Sequence, residues 1–226
     1  MISEVDEALR TLVRGEALAG SDVEVVFDAP TKDWASRRNA PTINLYLYDI
    51  REDLRRRERG WLEQRGADGV IVGRAPAPRY FKLSYLVTAW TQRPEDEHRL
   101  LDSLLRGFLR HDALPDALVV GPLAAPGLVV PVTVGLPPPE DRAFADVWSA
   151  LGGELKPSLD VVVVAPVDSG RTFVAGPPVT DGTFVNMRDV AVGADDGTRG
   201  RHRPVPAVSA PPAAPTKTPR KRSPRQ

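Results

Sequence analysis

The sequence predicts an α/β (α+β) fold, a single domain with a mixed β-sheet packed by two or three helices. Three observations support this. Residues 80–91 alternate as a long strand, with one almost wholly apolar face made of Phe81, Leu83, Tyr85, Val87 and Ala89. Pro94 suits the first position of a helix, and apolar residues recur at helical spacing from Leu100 to Leu109. The valine run at 161–164 is typical of a strand covered on both faces.

Further elements are predicted before this strand and helix. Apolar residues at helical spacing indicate a first helix, with the face Val5, Leu9, Leu12 and Val13. Residues 23–27 are typical of a short strand, and residues 43–50 alternate as a second long strand. Between them, residues 28–31 form a predicted turn, and residues 32–38 are irregular or make a single helical turn that carries Trp34.

The second half of the body supplies the remaining elements. Residues 118–120 and 128–136 are predicted strands, the second at a sheet edge because Pro131 interrupts it. One more helix has an apolar face made of Phe144, Val147, Trp148 and Leu151. The glycine pair at 152–153 ends that helix and leads into the valine strand.

A charged block follows the second strand. Its candidate partner-binding residues are Arg51, Asp53, Arg55, Arg56, Arg57, Arg59 and the nearby Trp61. Glycine and an Ala-Pro-Ala-Pro sequence follow before residue 79. We predict that residues 51–78 form a mobile arm or hairpin that reaches a partner, its mixed charges setting register more than affinity. The alternative is an ordinary mobile surface loop.

The sequence divides into three regions. Residues 1–175 are the predicted folded domain, and residues 176–192 are a small C-terminal extension. The repeated Thr-Phe-Val at 172–174 and 183–185 favours a small hairpin-like appendage around the boundary. Residues 193–226 are rich in proline, alanine and arginine without apolar periodicity, which predicts disorder.

The formal net charge of zero conceals an uneven distribution. No acidic residue follows Asp196, whereas eight of the 30 basic residues do. Residues 1–198 therefore carry 22 basic against 30 acidic side chains, a formal charge of −8, and the tail carries +8. A basic tail of this kind can bind nucleic acid or any acidic partner.

Composition and motifs disfavour several function classes. The absence of cysteine excludes disulfides and thiolate chemistry, and fits a reducing compartment. Neither a secretory signal nor a membrane span is visible, so we expect a cytoplasmic protein. The glycine spacing matches no P-loop, dinucleotide fingerprint or nucleophile elbow.

The titratable residues predict no catalytic, cofactor or metal site. Three histidines lie in unrelated settings without further ligands: His98, His111 and His202. Carboxylates cluster at three places where a solvated surface is the simpler interpretation: Glu52-Asp53, Glu95-Asp96-Glu97 and Asp195-Asp196. We therefore expect a protein that is not an enzyme and needs no cofactor.

Five stretches of the sequence, in order, carry a resemblance to a known family. They are Asp28-Ala29-Pro30 with Trp34, Pro41-Thr42-Ile43-Asn44-Leu45-Tyr46-Leu47-Tyr48-Asp49-Ile50-Arg51-Glu52-Asp53, Pro94-Glu95-Asp96-Glu97-His98-Arg99-Leu100-Leu101, Trp148-Ser149-Ala150-Leu151-Gly152, and Lys156-Pro157-Ser158-Leu159-Asp160. Together they resemble the tail terminator or cap proteins of phage-tail-like (extracellular) contractile injection systems, over roughly residues 1–175.

The resemblance implies a structural role. A compact α/β subunit would form a six-fold ring on the last tube and sheath layers and end polymerisation, with the tube and sheath proteins as partners. It supplies no catalytic residues, and it makes His98 part of a helix start and Trp148 a core residue beneath the sheet. Two alternatives stay open: a small regulatory or nucleic-acid-binding module acting through the basic tail, and an unfamiliar enzyme, which the absence of a converging polar group disfavours.

Overall fold

The computed structural model describes residues 1–124, 128–137 and 144–176, which belong to one compact unit, Met1–Pro178. In chain order the helices and strands are α1 (Ile2–Glu16), β1 (Glu24–Val26), α2 (Lys32–Ser36), β2 (Thr42–Glu52), β3 (Trp61–Arg65), β4 (Ile71–Pro76), β5 (Arg79–Trp90), α3 (Pro94–Phe108), β6 (Val132–Val134), α4 (Phe144–Ala150), β7 (Leu159–Val167) and β8 (Phe173–Val174).

The main sheet has five strands in the order β1-β2-β5-β7-β6. β1 runs parallel to β2, and the other neighbours are antiparallel, so the sheet is mixed, as the sequence predicts. The α/β (α+β) fold is confirmed. β2 and β5 form its central pair, from Thr42 opposite Trp90 at one end to Glu52 opposite Phe81 at the other, with a shift of register between Leu47 and Asp49.

One face of this sheet carries the core, under α1 and α3. The alternating apolar face of β5 is almost fully buried there, beside inward side chains of β2 and β7. Gly107 lets α1 and α3 approach each other, because a Cβ there would lie only 3.3 Å from the Cβ of Glu16. The helical spacing predicts Leu109 on the apolar face of α3, but the helix ends at Phe108 and Leu109 is 66% exposed.

The opposite face is covered by α2, α4 and the segment after α4. Trp34 and Trp148 are both buried there, the latter 2% exposed, which agrees with its expected place beneath the sheet. The valine run on β7 differs in part from the prediction. Val161 and Val163 are fully buried in the main core, whereas Val162 and Val164 are only half-buried on this second face.

The connection from α3 to β6 corrects one predicted strand. Residues 118–120 are not a strand: Asp116–Leu118 forms a short 3₁₀ helix instead. Pro115 starts that turn, and its carbonyl accepts the amide of Leu118 at 2.8 Å, so the backbone is satisfied locally. The strand predicted at 128–136 shrinks to β6, which follows Pro131 and lies at a sheet edge as predicted.

The predicted arm supplies β3 and β4 of a second, three-stranded sheet with the order β3-β4-β8. β3 and β4 form an antiparallel hairpin, so the hairpin form of the arm is observed. The sequence predicts that residues 172–174 form a hairpin-like appendage with residues 183–185. In the structure, Phe173–Val174 pairs with β4 instead, opposite Gly73 and Arg74. Its predicted partner, residues 183–185, lies outside the described residues, as does the C-terminal tail.

Candidate assembly interface

The arm begins where β2 and β5 run past the main core. Asp53 is only 9% exposed, and its backbone amide donates to the Tyr80 carbonyl at 2.7 Å. Its carboxylate accepts from the Arg55 amide at 3.4 Å and lies 3.6 Å from Lys82 Nζ. The aspartate thus caps the 3₁₀ turn Leu54–Arg56 and anchors the base of the arm.

Arg57 is held by a carboxylate of its own chain. Its Nε and Nη2 atoms donate to the two oxygens of Glu52, each at 2.8 Å, which is the two-pronged geometry that makes arginine–carboxylate pairs strong. Hydrogen bonds from Arg57 lower the pKa of Glu52, and the charge of Arg79 at 3.5 Å acts in the same direction. Arg57 and Glu52 together fix the strand end from which the arm departs.

The remaining arginines of the block fall into two groups. Arg56 stacks over Tyr80 at 5.2 Å from the ring centroid, and Arg51 pairs with Asp49 at 3.2 Å. Arg55 and Arg59 are exposed, and their guanidinium groups form no ion pair, hydrogen bond or ring contact within the part of the protein that the structure describes. These two cations are therefore the ones open to a partner.

The arm also presents apolar side chains to solvent. All five residues of β3 are exposed, and this strand is an outer edge of the second sheet. Trp61 is 55% exposed although its ring packs edge-on against Phe173, with centroids 4.8 Å apart. Further exposed large apolar residues are Leu62, Val72 and Val174 on the same sheet and Val70 in the turn between β3 and β4. The register places Leu62 and Val174 on one face of this sheet and Trp61 with Phe173 on the other. Apolar side chains exposed to solvent in this way are typical of a surface that contacts another protein.

A family model described as the Pvc16 N-terminal domain matches residues 4–181. The chain belongs to the Pvc16 N-terminal domain family. A search of curated protein sequences found no match.

Two solved structures share the fold of this Pvc16 N-terminal domain protein. One is the sheath/tube terminator, in the extended state, of an extracellular contractile injection system, PVC, with a TM-score of 0.64 and 21% identity over 85% of this chain and 65% of that chain. The other is the tube-terminating cap of the anti-feeding prophage, with a TM-score of 0.55 and 22% identity over 80% and 60%. This chain therefore spans less than two thirds of the length of either.

The stretches that carried the resemblance to this family meet in the fold. At one corner of the main sheet, Trp34 Nε1 donates to Asp28 Oδ2 at 2.8 Å, and the ring of Trp34 meets that of Trp90 edge-on at 5.3 Å. Asn44 Nδ2 donates to the Asp28 carbonyl at 2.9 Å. The Asp28-Ala29-Pro30 turn is thereby tied to both central strands.

The other family stretches complete that corner. Lys156 Nζ lies 4.1 Å from the Trp90 ring centroid and 2.6 Å from Glu97 Oε1. Glu97 also accepts the amide of Thr91 at 3.1 Å. The sequence identified Lys156 and Glu97 as members of the family stretches but not their contact, because the two residues lie far apart along the chain. Their spacing carries no local signal of the contact.

The other sequence-predicted features take ordinary positions. His98 is exposed in the first half of α3, and His111 Nε2 lies 3.3 Å from Glu16 Oε1, whereas His202 lies outside the described residues. Across residues 1–124, 128–137 and 144–176, no group of three or more His, Asp or Glu side chains is placed to hold a metal ion. None of the described helices is long and apolar enough to cross a membrane.

Proposed function

We propose that this protein is the terminator, or cap, of a contractile injection particle, where it ends polymerisation of the tube and sheath. The single observation that supports this most is the family match over residues 4–181. The fold shared with two terminators of such particles agrees with it. The partners would be the tube and sheath proteins of the same particle. The cap would form a ring of six subunits and assemble in the cytoplasm.

A terminator acts through the surfaces that bind its neighbours, not through a reactive pocket. A subunit that closes a ring needs two different patches, so that each copy contacts the next head to tail. In the arm, Arg55, Arg59 and Trp61 are exposed and open to a neighbour. Arg51, Asp53, Arg56 and Arg57 contact their own chain and hold the arm in shape.

The function is tested by imaging particles from producing cells with and without this protein. We expect sheaths of uniform length when it is present and sheaths of irregular length when it is absent, because the growing cylinder would then lack its terminator. Restoring the gene should restore the uniform length. Particles of normal dimensions in the absence of the protein would overturn the proposal.

The role of the arm is tested by removing it. Replacing residues 55–75 with a short glycine-serine turn should leave a folded monomer, because the main core lies elsewhere, but should abolish the ring. The melting temperature and the size of the purified protein separate the two effects. Normal rings from the armless variant would contradict the interface while leaving the terminator role standing.

The basic tail supports a second candidate, a nucleic-acid-binding module, because it carries a formal charge of +8. Such binding would weaken steeply with salt, since it releases counterions from the phosphate backbone. The protein without residues 199–226 is the matched control. Salt-sensitive DNA binding that disappears with the tail would support this candidate. Unchanged particle assembly without the tail would indicate a linker with no fixed partner.

A further inference from the structure

A groove of about 640 Å³ lies at the end of the main sheet where β2 begins and β5 ends. Its apolar wall includes Val23, Pro41 and Leu100, and Trp90 lines it beside the buried corner described above. Because Lys156 and Trp34 contact the Trp90 ring, this wall is fixed. The groove is therefore a preformed hollow of a size that suits a few residues of a protein chain.

Three arginines line the groove, and they are not equivalent. Arg38 pairs with Glu24 at 3.0 Å, and Arg99 pairs with Asp96 at 3.0 Å. The guanidinium of Arg93 is exposed and contacts no carboxylate among the described residues. An occupant with one carboxylate would therefore find a single unpaired cation at the rim, beside an apolar wall.

The tip of the arm, residues 66–70, has the complementary features. Its turn is closed by hydrogen bonds from the Gly66 amide to the Val70 carbonyl at 2.8 Å and from the Gly69 amide to the Gly66 carbonyl at 3.0 Å. Gly69 has φ of 78°, a conformation that favours glycine. Asp68 accepts the Val70 amide at 3.1 Å, and both side chains are exposed. The tip is thus a fixed knob with one carboxylate and an apolar residue.

The knob and the groove lie at opposite ends of one subunit. The arm leaves the β2–β5 pair beside Glu52, and the groove lies beside Thr42 and Trp90 at the other end. The eleven residues of β2 span about 35 Å, whereas the five residues of β3 span only about 17 Å. A subunit therefore cannot fill its own groove, whereas a second copy placed head to tail can.

We propose that the arm tip of one copy docks in the groove of a second copy, with Asp68 against Arg93 and Val70 against the apolar wall. This inference rests on the proposed function, because it gives the ring its repeating contact. Each copy offers one knob and one groove, so the contact is heterologous and closes into a ring or continues as a helix. A segment of a tube or sheath protein is the competing occupant.

Cross-linking tests the contact directly, since the chain has no cysteine of its own. We would introduce Asp68→Cys and Arg93→Cys together, assemble the full-length protein in particles, and bridge the thiols with a short bis-maleimide. We expect a ladder of covalent oligomers on a denaturing gel with the double variant, and monomers with either single variant. Monomers from the double variant in normally capped particles would overturn the contact and leave the proposed function intact.

Charge reversal provides the second test. Asp68→Lys or Arg93→Glu alone should weaken association at least ten-fold, and the two together should restore it, because each interface then regains an opposite pair. Glu154→Lys is the matched control, since Glu154 is exposed and lies on neither surface. Melting temperatures would show that the variants fold. Singles that associate normally, or a double variant no better than the singles, would overturn the inference and point to a tube or sheath segment.

Discussion

Lys156 forms an ion pair with Glu97, with 2.6 Å between Nζ and Oε1, and both side chains are largely shielded from water. The pair joins the first turn of α3 to the segment that precedes β7. Because the same ammonium group lies over the Trp90 ring, one lysine holds a helix start and the end of β5 together.

We predict that Lys156→Ala lowers the free energy of unfolding by about 2 kcal/mol, since it removes a charged hydrogen bond and leaves Glu97 partly buried without its cation. Arg106→Ala is the matched control: that arginine pairs with Asp102 on the exposed surface of α3, where ion pairs contribute little. Urea denaturation measures both. Equal losses for the two variants would contradict the structural role of Lys156.

Local sequence patterns predicted the elements that carry their own signal. The alternation over β5 and the helical spacing over α3 predicted both elements with nearly correct ends, because buried residues recur at a fixed spacing along each of them. The strand predicted at residues 118–120 was wrong because a run of three apolar residues does not show whether a neighbouring strand is available to pair with it. Pro115 instead favoured a turn with local hydrogen bonds.

The candidate interface was predicted as a segment, but not in its details. A charged, glycine- and proline-rich stretch indicated an arm, yet the pairing of Phe173–Val174 with β4 joins residues about a hundred positions apart. The difference between Arg57, locked to Glu52, and Arg55, open to solvent, depends on the 3₁₀ turn and not on residue type. The groove was missed because its lining comes from separate segments.

Tyr85 and Asp6 provide a pH-dependent prediction. The Tyr85 hydroxyl donates to Asp6 Oδ1 at 2.7 Å in the layer between α1 and β5. Burial raises the pKa of Asp6, and the Tyr85 hydrogen bond partly offsets this; burial also raises the pKa of Tyr85 itself. We predict that Tyr85→Phe costs about 1 kcal/mol at pH 7, because the carboxylate loses its donor.

The sign of the pH effect follows from that raised pKa. A carboxyl whose folded pKa lies above its unfolded value of about 3.9 favours folding when protonated, so its charge lowers stability as the pH rises through that interval. Loss of the Tyr85 hydroxyl raises the pKa of Asp6 further. The cost of Tyr85→Phe should therefore be largest near neutral pH and shrink in acid, as denaturation at several pH values would reveal. A cost independent of pH would contradict this coupling.

Glu52 provides a prediction at the base of the arm. Because hydrogen bonds from Arg57 lower its pKa, Arg57→Ala should raise that pKa toward its usual value. The Glu52 contribution to stability is present above the unfolded pKa and is lost as the pH falls through the lower folded value. NMR titration of the side-chain carboxyl measures the change. Arg55→Ala is the control, since Arg55 contacts Asp53 only through its backbone amide; an equal shift there would contradict the assignment.

Substitution of two tryptophans should distinguish residues needed for folding from residues needed for assembly. Trp148 is 2% exposed, so Trp148→Ala should lower the free energy of unfolding by about 4 kcal/mol through the cavity it leaves. Trp61 is half-exposed on an edge strand, so Trp61→Ala should change the unfolding free energy by less than about 1 kcal/mol and yet weaken ring formation. Denaturation and sedimentation of the same samples give both readouts. Weaker association of Trp61→Ala would indicate that Trp61 is buried against a neighbouring subunit. Normal association would show that the Trp61 side chain is not part of the interface.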